Sequence, residues 1–361
     1  MLKRATKNRA YQMCSSCVMD TSAIEIEFDL NGVCGYCRGV RQHVGVSWFP
    51  DELGKKAATA KFNSIRENGS GLEFDSILGL SGGLDSAVVA SRAIENGLRP
   101  LAVHVDGGWD SKASVQNIKS LTENLNIPLK TIVIDWQEMR QLQIAFLKSG
   151  TLNQDIPQDH CFFVSLYKVA IELNIKTILS GVNFATESVQ PASWGHTYLD
   201  GKNLSSIYEK YNAKKLQMFP VWSLKTYKKE VVKGIFSVFE PLNFGPFEPR
   251  TEVKNLENRF GWQAYGGKHE ESVFTNWFQS VYLPNRYKID KRKADFSSLI
   301  ISGLLSRDEA LSKLEAPILD PNEKNNLHRT VARKLQISVE ELDTYLNLPH
   351  VPNTKFPSDA K

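Results

Sequence analysis

The segment Ser81-Gly82-Gly83-Leu84-Asp85-Ser86 constrains this chain more than any other. The apolar run Phe74–Leu80 leads into it, and Leu84–Glu95 reads as a helix stopped by Gly97 at its C′ position. A strand that turns through glycines into a helix gathers free backbone N–H groups and the positive end of a helix dipole at one point. Such a point binds anions, and Gly82 and Gly83 let the backbone approach phosphate oxygens closely. Ser81 and Ser86 add hydroxyl donors. No Gly-Lys-Ser/Thr follows, so the loop is not of the Walker A type. A carboxylate beside phosphate is unfavourable without a cation between them, so Asp85 points to Mg²⁺ on a polyphosphate. The plainer alternative is a tight turn with a capping aspartate.

Downstream, Pro100–Val105, Lys130–Ile134 and Lys176–Ser180 read as further buried strands. Helical stretches separate them at Ser114–Leu125 and around 137–148 and 160–173. Apolar strands alternating with helices predict an α/β fold, a parallel sheet covered on both faces and doubly wound by right-handed crossovers. Beyond about residue 250 the pattern turns helical. Ser306 with Glu309 and Ser338 with Glu341 have capping-box spacing, and Asp320 precedes Pro321 as a cap before an N1 proline. The stretch 40–71 reads as a connector, and the tail 352–361 is expected to be disordered. The resulting division is 1–45, 46–72, 73–248 and 249–361.

Four of the five cysteines form two CxxC pairs, Cys14/Cys17 and Cys34/Cys37, sixteen residues apart. That spacing is that of a four-cysteine zinc ribbon. Four thiolates close a tetrahedral shell, so the expected Zn²⁺ is structural and stabilises a unit too small for its own core. The fifth, Cys161, stands between His160 and Phe162 near a helix start. It reads as buried packing in preference to a nucleophile. The chain has 361 residues, 42% hydrophobic and 23% charged, ordinary for a globular protein. A net charge of +4 is too small to imply nucleic-acid binding. No apolar run is long enough to span a bilayer or to serve as a secretory signal, so the expected location is the cytoplasm.

SGGLDS resembles the PP-loop of the ATP-pyrophosphatase superfamily. The resemblance implies an adenine-nucleotide alpha-hydrolase-like fold whose loop holds the ATP phosphates while a substrate oxygen attacks the α-phosphorus. It also implies that the strand end His104-Val105-Asp106, followed by Gly107-Gly108-Trp109, binds adenine. The chain as a whole is similar to the N-acetyl sugar amidotransferase family, the WbpG/PseA type of lipopolysaccharide and flagellin-glycan biosynthesis. That likeness rests on the cysteine pairs, on SGGLDS, on Ser180-Gly181-Val182-Asn183 with Glu187, on Gly266-Gly267-Lys268-His269-Glu270-Glu271-Ser272, and on Asp290-Lys291-Arg292-Lys293.

What the family implies is conversion of an acetamido group on a nucleotide-linked sugar to an acetamidino group, with ATP cleaved to AMP and pyrophosphate. Ammonia would come from a separate HisH-like glutaminase subunit, through a HisF-like cyclase barrel, since the chain shows no convincing glutaminase triad. Candidate catalytic residues are then Asp85, Asn183, Glu187, Lys268 and His269. Gly181 joins the nucleotide-binding set, and Lys291, Arg292 and Lys293 would neutralise a sugar-nucleotide pyrophosphate. Each has a plainer reading: Asn183 as a loop cap, Glu187 as a solvated helix face, Lys268 and His269 as an exposed loop, the basic run as surface charge. The resemblance leads one to expect a histidine where Asp295 stands. Trp194 and His196 read as loop or core packing more readily than as sugar contacts. The competing enzyme is a tRNA-thiolating ATP pyrophosphatase, which would need Cys161 as a reactive thiol. The competing non-enzyme is a zinc-ribbon scaffold with a degenerate nucleotide fold, against which the intact loop residues speak.

Overall fold

The computed structural model describes residues 10–268 and 270–360. Before the sheet come α1 (Gly35–Gly39) and α2 (Glu52–Asn68). Then follow β1 (Ser76–Gly79), α3 (Leu84–Glu95), β2 (Pro100–Asp106), α4 (Lys112–Leu125) and β3 (Leu129–Val133). The chain returns through α5 (Trp136–Ser149) and α6 (Ile156–Glu172) to β4 (Thr177–Leu179). After the single-turn α7 (Phe184–Glu187) come α8 (Gly201–Asn212), α9 (Leu224–Val232) and β5 (Ser237–Phe239). The rest is helical: α10 (Pro249–Phe260), α11 (Val273–Trp277), a wider-pitched turn over Phe278–Tyr287, then α12 (Arg292–Ile301), α13 (Arg307–Glu315), α14 (Pro321–Leu335) and α15 (Val339–Leu346). No described helix is long and apolar enough to cross a membrane.

The five strands form one parallel sheet in the order β3-β2-β1-β4-β5. Alternate strand residues serve opposite faces. Ile77, Leu101 and Val103 pack with α5, α6 and α8, while Leu78, Leu80 and Ala102 pack with α2, α3 and α4. The chain moves outward from β1 to β3 on one face and comes back to β4 on the other. β1 and β4 are therefore neighbours whose following loops part, which opens a crevice at the carboxyl ends of the strands.

Three stretches differ from the sequence reading. The presumed connector contains the 17-residue α2, capped by Asp51 on the Gly54 N–H at 2.8 Å. Its Ala58, Phe62 and Ile65 share one face and pack onto the sheet. Its other faces are polar, which hid the stripe. β5 is only three residues long and passed unread. The tail is ordered and docked: Phe356 is 5% exposed in the core beside α8. Asn203 donates to the Asn353 carbonyl at 3.0 Å, and Lys202 pairs with Asp359 at 3.5 Å. One aromatic among polar residues carries no periodicity to announce it.

Replacing Phe356 with alanine should cost about 3 kcal/mol of unfolding free energy, the usual loss for a buried phenylalanine. Urea unfolding followed by circular dichroism measures it, and an unchanged midpoint would show that the tail does not anchor the fold.

Candidate active site and metal centre

β1 ends at Gly79, and the chain turns through Leu80–Gly83 into α3. Gly82 has φ +81°, and a Cβ there would lie 2.4 Å from the Ser114 carbonyl oxygen, so only glycine fits. Its own carbonyl accepts from Asn117 Nδ2 at 3.2 Å and Trp262 Nε1 at 3.1 Å. Ser81 and Ser86 hydroxyls meet at 3.2 Å across the bend, and Ser81 Oγ accepts from the Gly83 N–H at 3.2 Å. No side chain caps α3. Its dipole and first-turn N–H groups would suit an anion.

Gly181, just past β4, lies against this helix start. A Cβ at 181 would be 3.0 Å from Asp85 Cβ, so its glycine is a matter of close packing. The two loops are then bridged by one cation. Lys268 Nζ lies 3.4 Å from Asp85 Oδ2 and 2.9 Å from Glu187 Oε1, and it donates to Thr186 Oγ1. Burial works against the charge on Lys268, but Asp85 and Glu187 outweigh it and hold its pKa above the usual lysine value. The surroundings are acidic: burial, and then the Glu187 charge, push Asp159 on α6 up to about 7.

The loop opens into a cavity of about 620 Å³. Ser81, Gly83, Asp85, Ser86, Thr186 and Lys268 form one end. Val253, Trp262, Phe296, Leu299 and Leu319 give an apolar wall, and Lys291 and Arg292 stand on the same cavity. Both cations are already paired, Lys291 with Asp295 at 2.6 Å and Arg292 with Asp290 at 2.8 Å. Asp295 thus neutralises a neighbour one helical turn away. Tyr265, Glu271, Asn276 and Gln279 also line the cavity, and the sequence reading missed them along with Thr186 and Trp262. Trp262, Tyr265 and Glu271 could have been found by their nearness in the chain to the Gly266-Gly267 pair, and Thr186 by its place beside Glu187.

Several expected site residues do other work. Lys293 points to the cysteine unit, where it binds Asp20, which is 1% exposed. Burial would raise the pKa of Asp20, but the Lys293 hydrogen bond reverses this and holds it low. Asn183 is also 1% exposed and caps α7, its Oδ1 accepting from the Thr186 N–H at 2.9 Å. It is a cap and does not reach the cavity. His104, Val105 and Asp106 do not line the cavity either. His104 is held between the Leu80 carbonyl at 3.1 Å and Asp110 at 2.9 Å. Asp106 accepts from the Gly108 N–H at 2.7 Å. Trp109 is a strut: its ring is fully buried, and Lys334 of α14 lies over it at 5.0 Å. His269 lies outside the described residues. Trp194 donates to the Ser22 carbonyl at 3.2 Å, and His196 meets Asp200 at 3.0 Å, so both are packing. Cys161 is wholly buried, and burial pushes its thiol pKa well up, the opposite of an activated nucleophile.

Cys14, Cys17, Cys34 and Cys37 converge, with all four sulfurs within 4.8 Å of one another. The Cys14–Cys37 and Cys17–Cys34 separations are 3.9 and 3.7 Å. A tetrahedron with Zn–S bonds of about 2.3 Å has edges of about 3.8 Å, so the four thiolates could hold Zn²⁺. Backbone N–H groups of Ser16 and Cys34 point at Cys14 Sγ at 3.3 and 3.2 Å, as suits a thiolate. The unit is clamped to the C-terminal helices: Arg307 donates to the carbonyls of Cys17 and Cys14, both at 3.1 Å, and Ser297 Oγ accepts from the Val18 N–H.

Two family models match parts of the chain. Residues 59–162 match the NAD synthase family. Residues 271–361 match the family described as LPS biosynthesis protein WbpG-like, C-terminal domain. Among solved structures, the NH3-dependent NAD synthetase of Campylobacter jejuni is 16% identical, covering 82% of this chain and 98% of that one, with a TM-score of 0.32. The NMN synthetase of Francisella tularensis is 18% identical, covering 60% and 98%, with a TM-score of 0.31. Likenesses this remote carry no argument. No curated protein matched. The fold and the matched families place the chain in the PP-loop superfamily, as an amidating enzyme of the ATP-pyrophosphatase type. Within that superfamily the match of residues 271–361 supports a WbpG-type amidotransferase.

One zinc per chain is expected by elemental analysis. Cys34→Ser should lose it and lower the melting temperature, because binding free energy at such a site is folding free energy. Retention of full zinc by that variant would contradict the four-thiolate site.

Proposed function

We propose that the enzyme uses ATP to replace the acetamido carbonyl oxygen of a nucleotide-linked sugar with nitrogen, giving an acetamidino sugar for a surface polysaccharide or flagellin glycan. The observation that carries this is the shared cavity. The phosphate loop and the WbpG-like C-terminal region open onto one space of about 620 Å³. An amide carbonyl resists ammonia because its oxygen is a poor leaving group. In the proposed reaction that oxygen attacks the α-phosphorus and pyrophosphate departs. Ammonia then adds to the carbon, AMP leaves with the oxygen, and the nitrogen loses its surplus protons to solvent.

In this reading Ser81, Gly83 and Ser86 hold the polyphosphate, together with the first N–H groups of α3. Asp85 and Glu187 would hold Mg²⁺, which when bound neutralises phosphate charge. Lys268 occupies the space between them in the resting protein and would turn to the phosphates once the metal arrives. Lys291 and Arg292 would meet the pyrophosphate of the sugar nucleotide, and the apolar wall its remaining surface. Ammonia would be supplied by a separate glutaminase subunit. The thiolation alternative would need Cys161 as a reactive thiol, and Cys161 is buried.

Incubation with ATP, Mg²⁺, ammonium and a panel of UDP-linked acetamido sugars should yield AMP and a sugar lighter by the difference between O and NH. Mass spectrometry detects it, and Asp85→Ala should lower the rate by about a hundredfold or more. Thiolated tRNA in place of an altered sugar would overturn the reading. Lys268→Met should bind Mn²⁺ more tightly than wild type without nucleotide, yet bind ATP more weakly. Unchanged Mn²⁺ affinity would show that the ammonium does not stand in for the metal.

A further inference from the structure

We infer that a second, smaller cavity behind α7 is the inlet through which neutral ammonia reaches the reaction site. The inference rests on the amidation reading above. This cavity measures about 150 Å³ and lies between the cysteine unit, α7 and α12. Its walls include Tyr36, Gly39, Val40, Phe184, Ser188 and Ile301.

The placement of α7 carries the argument. α7 is a single turn. Thr186 lines the large cavity, and Glu187 pairs there with Lys268. Phe184 and Ser188 line the small one. Residues four apart share a helix face, so the turn shows one side to each cavity. The partition between the two spaces is therefore no thicker than one helix, about 10 Å. α12 holds it in place: Ser302 Oγ donates to the Ala185 carbonyl at 2.9 Å, and Ser298 Oγ accepts from the Val189 N–H at 3.0 Å.

Size and polarity select the ligand. A water or ammonia molecule takes up about 30 Å³, whereas ATP or a sugar nucleotide exceeds this cavity many times over. The walls mix apolar side chains with His43 and Ser188 and include no carboxylate, so an ammonium ion would lose hydration there without a counter-charge, a cost that NH3 does not bear. The Ser188 hydroxyl is sealed from solvent and has no hydrogen-bond partner among the described residues. The Phe184 ring lies between His43 at 4.9 Å and Trp48 at 4.8 Å, on the wall of the chamber. Once ATP and a sugar nucleotide fill the large cavity, the nucleophile needs another way in, and this chamber lies on the opposite side of the turn that bears Glu187.

Gly39 offers a direct test. Its φ of −72° suits any residue, and nothing lies within 4 Å of an added Cβ, so a large side chain can enter the chamber. Full-length Gly39→Trp, Ile301→Phe and the control Gly39→Ala would be assayed for AMP formation against ammonium chloride, with the UDP-linked sugar that gives turnover. The two filled variants should raise KM for ammonium by about tenfold or more, with ATP affinity and zinc content at wild-type levels. Gly39→Ala should behave as wild type. Wild-type KM in both filled variants, or a matching loss of ATP affinity, overturns the inlet. A wild-type enzyme with no ammonium-dependent AMP formation fails differently, removing the amidation reading and the inlet with it.

Discussion

One ammonium group joins the two halves of the crevice. Lys268 reaches Asp85 at the start of α3 and Glu187 at the end of α7, and these elements follow the neighbouring strands β1 and β4. Two carboxylates so close, with Asp159 nearby, would repel one another without a cation. Gly181 makes their approach feasible, since any side chain there would press on Asp85. The fold thus brings anionic side chains to its switch point, and the C-terminal half of the chain returns a cation to hold them. Because the cation sits on a loop next to Gly266-Gly267, it can be exchanged for another without disturbing the sheet.

The C-terminal helices do two jobs. One side completes the cavity with Trp262, Phe296 and Leu299. The other clamps the cysteine unit through Arg307 and Lys293. The run Lys291-Arg292-Lys293 shows how this is divided. Successive residues around a helix start point in different directions, so three adjacent charges cannot face one ligand. Lys291 and Arg292 stand on the cavity, and Lys293 crosses to Asp20. A metal in the cysteine unit would therefore stiffen the far support of the cavity wall without touching its contents.

The centre of the sheet was legible in the sequence because β1, β2 and β4 are buried on both faces and read as apolar runs, with helices of clear period between them, whereas β3 and β5 are partly exposed. The phosphate loop was legible because a strand, two glycines and a helix start have few other uses. The cysteine cluster was legible from spacing alone. What escaped depends on partners far away in the chain. Trp109 follows a strand end where a nucleotide contact was expected, yet it packs against α14 and Lys334. Asn183 sits where a catalytic residue would, and its amide is spent on the cap of a four-residue helix. α2 shows only three apolar residues to the sheet, and Phe356 is a lone anchor. Asn183 meets Thr186 three residues on; the others have no local pattern, because the surface each one meets is built by another part of the chain.

The paired state of the cavity's cations bears on specificity. Free lysine and arginine side chains in a cleft attract any phosphate, and cellular phosphates are abundant. Here Lys268, Lys291 and Arg292 each begin with a carboxylate partner. A ligand gains only the difference between its own bond and the one it displaces. A lone phosphate gains little from breaking a single pair. A ligand that spans the cavity also gains the α3 N-terminus and the apolar wall, and so repays several displacements together. The same carboxylates keep the resting cavity from collapsing into like-charge repulsion among its cations. In the proposed reading, selectivity for large, multiply charged ligands would follow from resting ion pairs, before any contact with a base or a sugar is counted.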